Sequence, residues 1–342
     1  MAQQHSSPET KSSEPKVAIV VLNWNGWKNT VECLESLSQI DYSSYQVILV
    51  DNGSKDNSVQ QIQTYAAGNV MVNSKFFQYS KTNKPLTLIA DAKDVVPNFR
   101  GEIFLVQNSA NFGFSMGTNI GLRLAQKHLA DYVMLLNNDI VVDKKFLNEL
   151  VDQAEMDSQI GVAGPTIYYY DRPKTVDFAG ENLIVWRVKG KEFTVPSKLP
   201  REVDKIEGSC MLIRREVLDK IGLLYTKYWA YWEETDFCFR AKKVGFKVLY
   251  VPKSMIWHKV AQSIGGEGNL QREYYLNRNR LLFARRNLSW SNQVKFLLYF
   301  FGFELWLKTA VELRHHSKAG AFMWLKAGFD GLRLYLDPIN AP

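Results

Sequence analysis

The sequence predicts an α/β protein: a mainly parallel central sheet with helices on both faces, plus a helical segment appended at the carboxyl end. Three observations carry that prediction. Short buried apolar runs alternate with stretches of helical spacing through the first half of the chain, which is the pattern of βαβ units. Three of those runs end in polar clusters, "NWNG" (23 to 26), "DNGS" (51 to 54) and "NND" (137 to 139). From about residue 263 the pattern changes to a basic, aromatic one with helical spacing.

Taken in order, "KVAIVVLNW" (16 to 24) is the first strand, and "WKNTVECLESLSQI" spaces Val31, Leu34 and Leu37 as a helix does. "YQVILVDNGS" is a second buried strand ending in a turn, followed by the helix "KDNSVQQIQTYAAG" closed at Gly68. Residues 69 to 101 are polar and read as an irregular insertion. "EIFLVQNS" and "DYVMLLNND" are the third and fourth strands, with the helices "SMGTNIGLRLAQKHL" and "KKFLNELVDQAEM" behind them. Beyond Gly164, "PTIYYY", "VDFAGENLIVW" and "KVLYVPKSMIWH" are strands separated by longer excursions, so the sheet becomes mixed there. The domain reading is a disordered tail over 1–15, a catalytic domain over 16–262 and a helical segment over 263–342.

Composition narrows the class. The tail "MAQQHSSPETKSSEPK" has no apolar core and does not resemble a signal peptide. Cys33, Cys210 and Cys238 are far apart, which argues against a zinc site or a disulfide framework and fits a reducing, cytoplasmic setting. The chain carries a net charge of +7, and residues 271–342 hold eleven Lys/Arg against five Asp/Glu, so most of the excess sits in the last fifth. That asymmetry points to an anionic partner. The aromatic content of "FLLYFFGFELWLK" favours a membrane surface over nucleic acid, and the run is too short to span a bilayer.

Ligands of parallel sheets bind beyond the carboxyl ends of the strands, and all three polar clusters share that address. One cluster alone would be an ordinary turn; three on one rim indicate a site. A dinucleotide fingerprint would put GxGxxG after the first strand, where this chain has "NWNGWKN", and no phosphate-binding P-loop occurs. Asp51 is placed to accept a hydrogen bond from a ribose hydroxyl or a base N–H. Without a glycine-rich cradle, phosphates must be neutralised by a divalent cation, Mg2+ or Mn2+, and Asp139 is the carboxylate for it. Its alternative role is to cap the following helix, which Asp143 fills better.

The ordered set "VAIVVLNWNG", "DNGS", "NFGFSMGTNIG", "LLNND", "GSCMLIRREVLDKIG", "YWEETDFCFRAKKVGFKV" and "YYLNRNRLLFARRN" resembles family 2 glycosyltransferases, and most closely their rhamnosyltransferase-like subgroup. The resemblance implies a GT-A nucleotide-sugar-binding fold, a divalent metal and inversion at the anomeric carbon. It places Asn23, Asn25, Asp51, Asn111, Gly113, Asn137, Asn138 and Arg278 at the donor nucleotide. Asp139 and His258 would be at the metal, and Gly208 and Glu233 on the acceptor side. Glu234 falls at the position of the general base. Two departures stand out: an amide, Asn137, replaces the first carboxylate of the family's DxD motif, and Glu234 replaces an aspartate. Asp236 is expected to pair with Arg240 at i,i+4.

The resemblance thus implies an inverting hexosyltransferase that uses dTDP-rhamnose or a UDP-hexose. Its acceptor would be a glycan or a lipid-linked sugar of cell-surface polysaccharide, with peripheral contact to the cytoplasmic face of an anionic membrane. The oligomeric state stays open. The alternatives are a catalytically degenerate glycan- or membrane-binding relative, or a nucleotidyltransferase, which should show a basic glycine-rich loop after its first strand.

Overall fold

The computed structural model describes residues 14–90, 95–259 and 269–337. Most of the expected tail and the boundary expected at 262 lie outside these residues. Glu14 and Pro15 are already docked: the Glu14 carboxylate accepts from the Ser43 N–H and hydroxyl, and Pro15 O accepts from Tyr42.

The sheet-bearing part is built from β1 (Val17–Asn23), α1 (Trp27–Leu37), β2 (Tyr45–Asp51), α2 (Ser58–Ala66), β3 (Leu88–Ala90), β4 (Arg100–Gln107), α3 (Gly113–Lys127), β5 (Tyr132–Asn137), β6 (Ile140–Val142) and α4 (Phe146–Glu155). It continues with β7 (Ile160–Tyr169), β8 (Val176–Phe178), β9 (Glu181–Ile184), β10 (Lys189–Glu192), β11 (Arg201–Glu202), β12 (Cys210–Arg214), α5 (Arg215–Ile221), α6 (Glu233–Lys243) and β13 (Lys247–His258). Four helices follow: α7 (Leu270–Asn287), α8 (Trp290–Tyr299), α9 (Leu305–Arg314) and α10 (Lys318–Leu336).

The main sheet runs β11-β13-β7-β12-β5-β1-β2-β4-β3, with β6 on β13 and β8 on β7. β3, β4, β2, β1 and β5 are mutually parallel, as are β7 and β13. Between these two groups lies β12, antiparallel to both β5 and β7. The parallel body is therefore interrupted once, and that strand comes from the "GSCMLIR" segment that strand periodicity did not single out.

The alternation of β1 explains the two-faced core. Val17, Ile19 and Val21 pack with α1, α2 and α4, while Ala18 and Val20 pack with α3, α5 and α6. On the second face Gly121 lets α3 sit directly on the sheet, since a Cβ there would lie 2.4 Å from Val20 Cγ1. The insertion at 69–101 is less irregular than expected. It adds the edge strand β3 and is tied down by Glu35, whose carboxylate accepts from the Ser80 N–H, Lys84, Tyr65 and Gln39.

The terminal helices are joined to the body by a shared apolar cluster, in which Leu281, Phe283, Phe296 and Phe300 pack with Val188 and Tyr228. Buried Arg280 bridges the two parts, donating to the carbonyls of Val188 and Arg187 and to Glu304 at 2.7 Å. No helix of the described residues is long and apolar enough to cross a membrane.

Candidate active site

The parallel strands end together, and their terminal side chains interlock. At the end of β1, Asn23 Nδ2 donates to Asp51 Oδ1 at 2.7 Å, and its Oδ1 accepts from Thr30 Oγ1 at 2.8 Å. Ser54 donates to both Asp51 oxygens, through its hydroxyl at 2.6 Å and its N–H at 3.1 Å. Asn25 accepts from the Lys55 N–H at 2.7 Å and so clips the first loop to the second. A carboxylate oxygen accepts two hydrogen bonds, so Asp51 Oδ2 retains capacity for one from a ligand.

A second amide network lies alongside. Asn52 donates to Asn111 Oδ1 at 2.9 Å and to Gly113 O at 3.1 Å, and its own Oδ1 accepts from Asn108. Asn111 in turn receives the Gly113 N–H at 2.8 Å. Gly113 is required twice over: its φ is +80°, and a Cβ would lie 2.7 Å from the Trp229 ring.

At the end of β5 the "NND" run divides its labour. Asn138 turns inward, donating to Thr30 Oγ1 at 2.9 Å and Asn23 Oδ1 at 3.3 Å, and so braces the loop after β1. Asn137 uses its N–H on Ser209 O at 2.8 Å, which aligns the start of β12 with the end of β5. Asp139 is not a helix cap, because the Lys145 N–H ahead of α4 bonds to Asp143 Oδ1 at 2.9 Å instead. Its Oδ1 lies 3.3 Å from His258 Nε2 at the end of β13, without hydrogen-bond alignment. Asp139 Oδ1 and His258 Nδ1 are both buried and lack a hydrogen-bond partner. Burial on its own would lower the His258 pKa, but Asp139, with Glu207 and Asp177 behind it, raises it to about 9.

His258 Nε2 faces Asp139 while its unpartnered Nδ1 faces Glu207 Oε1 at 3.9 Å, and a buried carboxylate beside an imidazole is a donor set that a divalent cation could use. A carboxylate beside an imidazole suits Mn2+ more readily than Mg2+. No group of three His, Cys, Asp or Glu among the described residues forms a metal site, so the remaining ligands would come from a diphosphate and water.

The acid pair opens α6. Glu234 Oε1 lies 3.2 Å from Lys205 Nζ, which also holds Glu181 at 3.1 Å. Gly208 sits against this group, and a Cβ there would be 3.2 Å from Glu234 Cβ. Glu233 Oε2 is buried without a partner. Burial first, and then the Glu234 charge, push the Glu233 pKa well above the ordinary carboxylate range. That direction favours the protonated form of Glu233. Asp236 is structural, as its spacing implied: Arg240 pairs with it at 2.7 Å, joined by Arg286 and Asn287.

Arg278, expected at the donor, directs its guanidinium to the loop before α6. Its Nη2 donates to the carbonyls of Lys227 and Tyr228 at 3.1 and 3.2 Å, and its Nε to Asn279 at 2.9 Å. Arg286 likewise serves Asp236 and lies over the Tyr225 ring. Residue-type reasoning also passed over Thr30, Asn52, Ser54, Asn108 and Lys205, because none of them carries a chemistry distinctive enough to stand out from a turn or a surface.

A family model described as "Glycosyl transferase family 2" matches residues 18–222, and one described as "Glycosyl transferase family group 2" matches 132–325. The chain belongs to glycosyl transferase family 2. Among characterised relatives, it is 27% identical over 150 residues to a low-salt glycan biosynthesis hexosyltransferase of Haloferax volcanii, covering 43% of this chain and 48% of that one. It is thus matched over about half the length of that relative. It is 23% identical over 300 residues to the N-acetylglucosaminyl-diphospho-decaprenol L-rhamnosyltransferase of Mycobacterium tuberculosis, covering 80% of this chain and 85% of that one. A mannosyltransferase from Pyrobaculum calidifontis, solved with GDP-Man and Mn2+, superposes with a TM-score of 0.57 at 14% identity, over 94% of this chain and 88% of that one. At that identity the likeness establishes the fold, GT-A, and nothing finer.

Proposed function

We propose that this chain is an inverting glycosyltransferase. It moves a sugar, rhamnose or another hexose, from a nucleoside-diphosphate donor to a glycan or lipid-linked acceptor of a cell-surface polysaccharide. The observation that carries the reading is the division of the sheet rim. The Asn23–Asp51–Ser54 network closes the ends of β1 and β2, the Asp139–His258 pair joins the residues after β5 to the end of β13, and Glu234 with its Lys205 partner lies against Gly208 ahead of β12.

In this reading the loops around Asn23, Asn25 and Asp51 hold the nucleoside, with Asn137 toward the ribose. Asp139 and His258 hold the cation, which when bound neutralises the charge on the diphosphate leaving group. Lys205 pairs with Glu234 at 3.2 Å, and Glu234 accepts the acceptor hydroxyl proton as the acceptor oxygen bonds to the anomeric carbon. The carbon–phosphate-oxygen bond breaks in the same displacement, its electron pair leaves with the diphosphate, and the configuration inverts. Protonated Glu233 adds no competing charge.

The membrane-facing part of the reading rests on α10. Phe322, Phe329 and Leu336 recur every seven residues and are 64%, 59% and 72% exposed. Lys326 and Arg333 lie between them on the same exposed stripe. Aromatic and basic side chains interleaved along one helix face suit an anionic lipid surface at the cytoplasmic side. A second copy would bring like charges together. This face supports a peripheral contact close to a lipid-linked acceptor.

The direct test incubates the protein and Mn2+ with dTDP-rhamnose, UDP-hexoses and GDP-mannose, and measures nucleotide release with and without acceptor. Glu234→Gln should lower the rate by about 10²–10⁴, while Glu233→Gln should stay within about fivefold. Equal losses in both variants would remove the assignment of the base.

A further inference from the structure

Three of the four residues after Tyr228 adopt an unusual backbone. Trp229, Tyr231 and Trp232 have φ of 59°, 65° and 76°, the left-handed region that bulky residues avoid. Such a conformation persists only where its surroundings over-determine it, and it concentrates at functional sites. Here the surroundings are one residue of α7. Asn279 is 0% exposed, and its Nδ2 lies 3.0, 2.8 and 2.8 Å from the carbonyl oxygens of Tyr228, Ala230 and Tyr231. Its Oδ1 accepts from Arg278 Nε and Nη2 at 2.9 and 2.7 Å. Arg278 reaches the same loop through Lys227 O and Tyr228 O, and Trp232 Nε1 donates to Leu276 O at 2.9 Å.

The two ends of this loop reach the two halves of the site. Trp229 O accepts from the N–H groups of Phe114 and Ser115 in the first turn of α3, and the Trp229 ring lies over Gly113 in the donor-side loop. Trp232 O accepts from the Asp236 N–H and so starts α6, which carries Glu233 and Glu234 at its first two positions. The pinned segment is a strut between the Asn111–Gly113 loop and the acid pair.

We infer that Asn279 is a positioning residue for the transfer reaction. Its amide fixes the loop that sets Glu234 relative to the donor-side loop, and so couples donor binding to placement of the base. The inference rests on Glu234 acting as the base. The chemistry selects an amide: the two N–H groups of Nδ2 are shared among three carbonyls while Oδ1 accepts from a guanidinium. Aspartate would oppose those carbonyls with a carboxylate, and alanine would leave them buried and unpaired.

The test compares Asn279→Ala and Asn279→Asp with the wild type, with Glu234→Gln, and with Gln46→Ala. Gln46 is a buried amide bonded to His128, on the second residue of β2 at the far end of the sheet. Turnover, donor KM and thermal stability are measured for each. Hydrogen exchange of peptides covering 111–116 and 227–236 is followed with and without Mn2+ plus dTDP, UDP or GDP. We expect the Asn279 variants to lose at least about thirtyfold in turnover with donor KM changed less than threefold, and Gln46→Ala to keep its turnover at a similar loss of melting temperature. In the wild type, nucleotide should slow exchange in both peptides; in the Asn279 variants it should slow only the first. Turnover that falls no further than in Gln46→Ala, or exchange in 227–236 that still responds to nucleotide, would leave Asn279 as ordinary packing. A Glu234→Gln protein as active as the wild type would instead remove the base assignment, and this inference with it.

Discussion

Lys205 offers the sharpest test of how the acid pair is tuned. Replacing it with methionine keeps most of the side-chain volume and removes the ammonium 3.2 Å from Glu234 Oε1. At an effective dielectric of about 20, two unit charges at that distance of 3.2 Å attract by roughly 5 kcal/mol. Glu181 shares the same ammonium, and relaxation and water entering the site offset much of the remainder. A net loss of about 1.5–3 kcal/mol of carboxylate stabilisation corresponds to a displacement of about one to two units in the acidic limb of a pH profile. A carboxylate base must be ionised to accept a proton, so on the proposal that Glu234 is the base, activity should be lost at a higher pH. In a pH profile of kcat/KM, the acidic limb of Lys205→Met should move up by about one to two units, while Lys205→Arg stays within about half a unit. The Lys205 pKa is itself raised well above the usual lysine value: burial opposes the charge, but Glu181 and Glu234 outweigh it, so the ammonium persists across the profile. A folded Lys205→Met protein whose acidic limb coincides with that of the wild type would refute this reasoning.

Two other predictions concern stability and attachment. Glu35 is fully buried and paired with Lys84 at 2.7 Å, so Glu35→Ala should cost about 3–5 kcal/mol, read from urea unfolding. Burial works against the Glu35 charge, but Lys84, the Ser80 N–H, Tyr65 and Gln39 outweigh it and hold its pKa below 4.5. A group depressed in the folded state stabilises above its unfolded pKa and stops doing so as pH falls through the folded value. The gap between wild type and Glu35→Gln should therefore be full at pH 7 and shrink below about pH 4; a gap that widens in acid would contradict the assignment. For the α10 stripe, Phe322→Ala with Phe329→Ala should weaken sedimentation with phosphatidylglycerol vesicles by about tenfold or more, since each inserted aromatic contributes about 1.5–3 kcal/mol. High salt should weaken it further through Lys326 and Arg333. Equal binding to neutral and anionic vesicles would count against the lipid reading.

Much of this architecture could be read locally. β13 was expected at 247–258 and spans Lys247–His258, because its period, its length and its terminal His are all properties of one short stretch. The ends of β1, β2 and β5 were legible for the same reason: a buried apolar run that stops at Asn or Asp announces the rim of a sheet. What depends on distant partners was not legible. The insertion of antiparallel β12 between β5 and β7 is a choice of sheet order, and no short-range pattern encodes it. Arg278 looked like a phosphate ligand because a guanidinium suits one, yet the carbonyls it serves lie some fifty positions earlier in the chain. Asn279 drew no notice for the same reason, since buried amides declare their role only through the backbone they meet. Asn138 was expected beside the donor, and its hydrogen bonds to Asn23 and Thr30 depend on residues far off in the chain that no local pattern reveals.

The account stands on Asp139 acting with His258 as a metal-dependent diphosphate site. Calorimetric titration of the protein with dTDP, UDP and GDP, with and without Mn2+, addresses it most directly when run beside Asp139→Ala. The account predicts that one of these nucleotides binds only with Mn2+, and that affinity falls at least about tenfold in the variant. Binding that ignores Mn2+, or that survives undiminished in Asp139→Ala, would contradict it; no binding of any nucleotide would favour a degenerate relative that keeps the fold without the reaction.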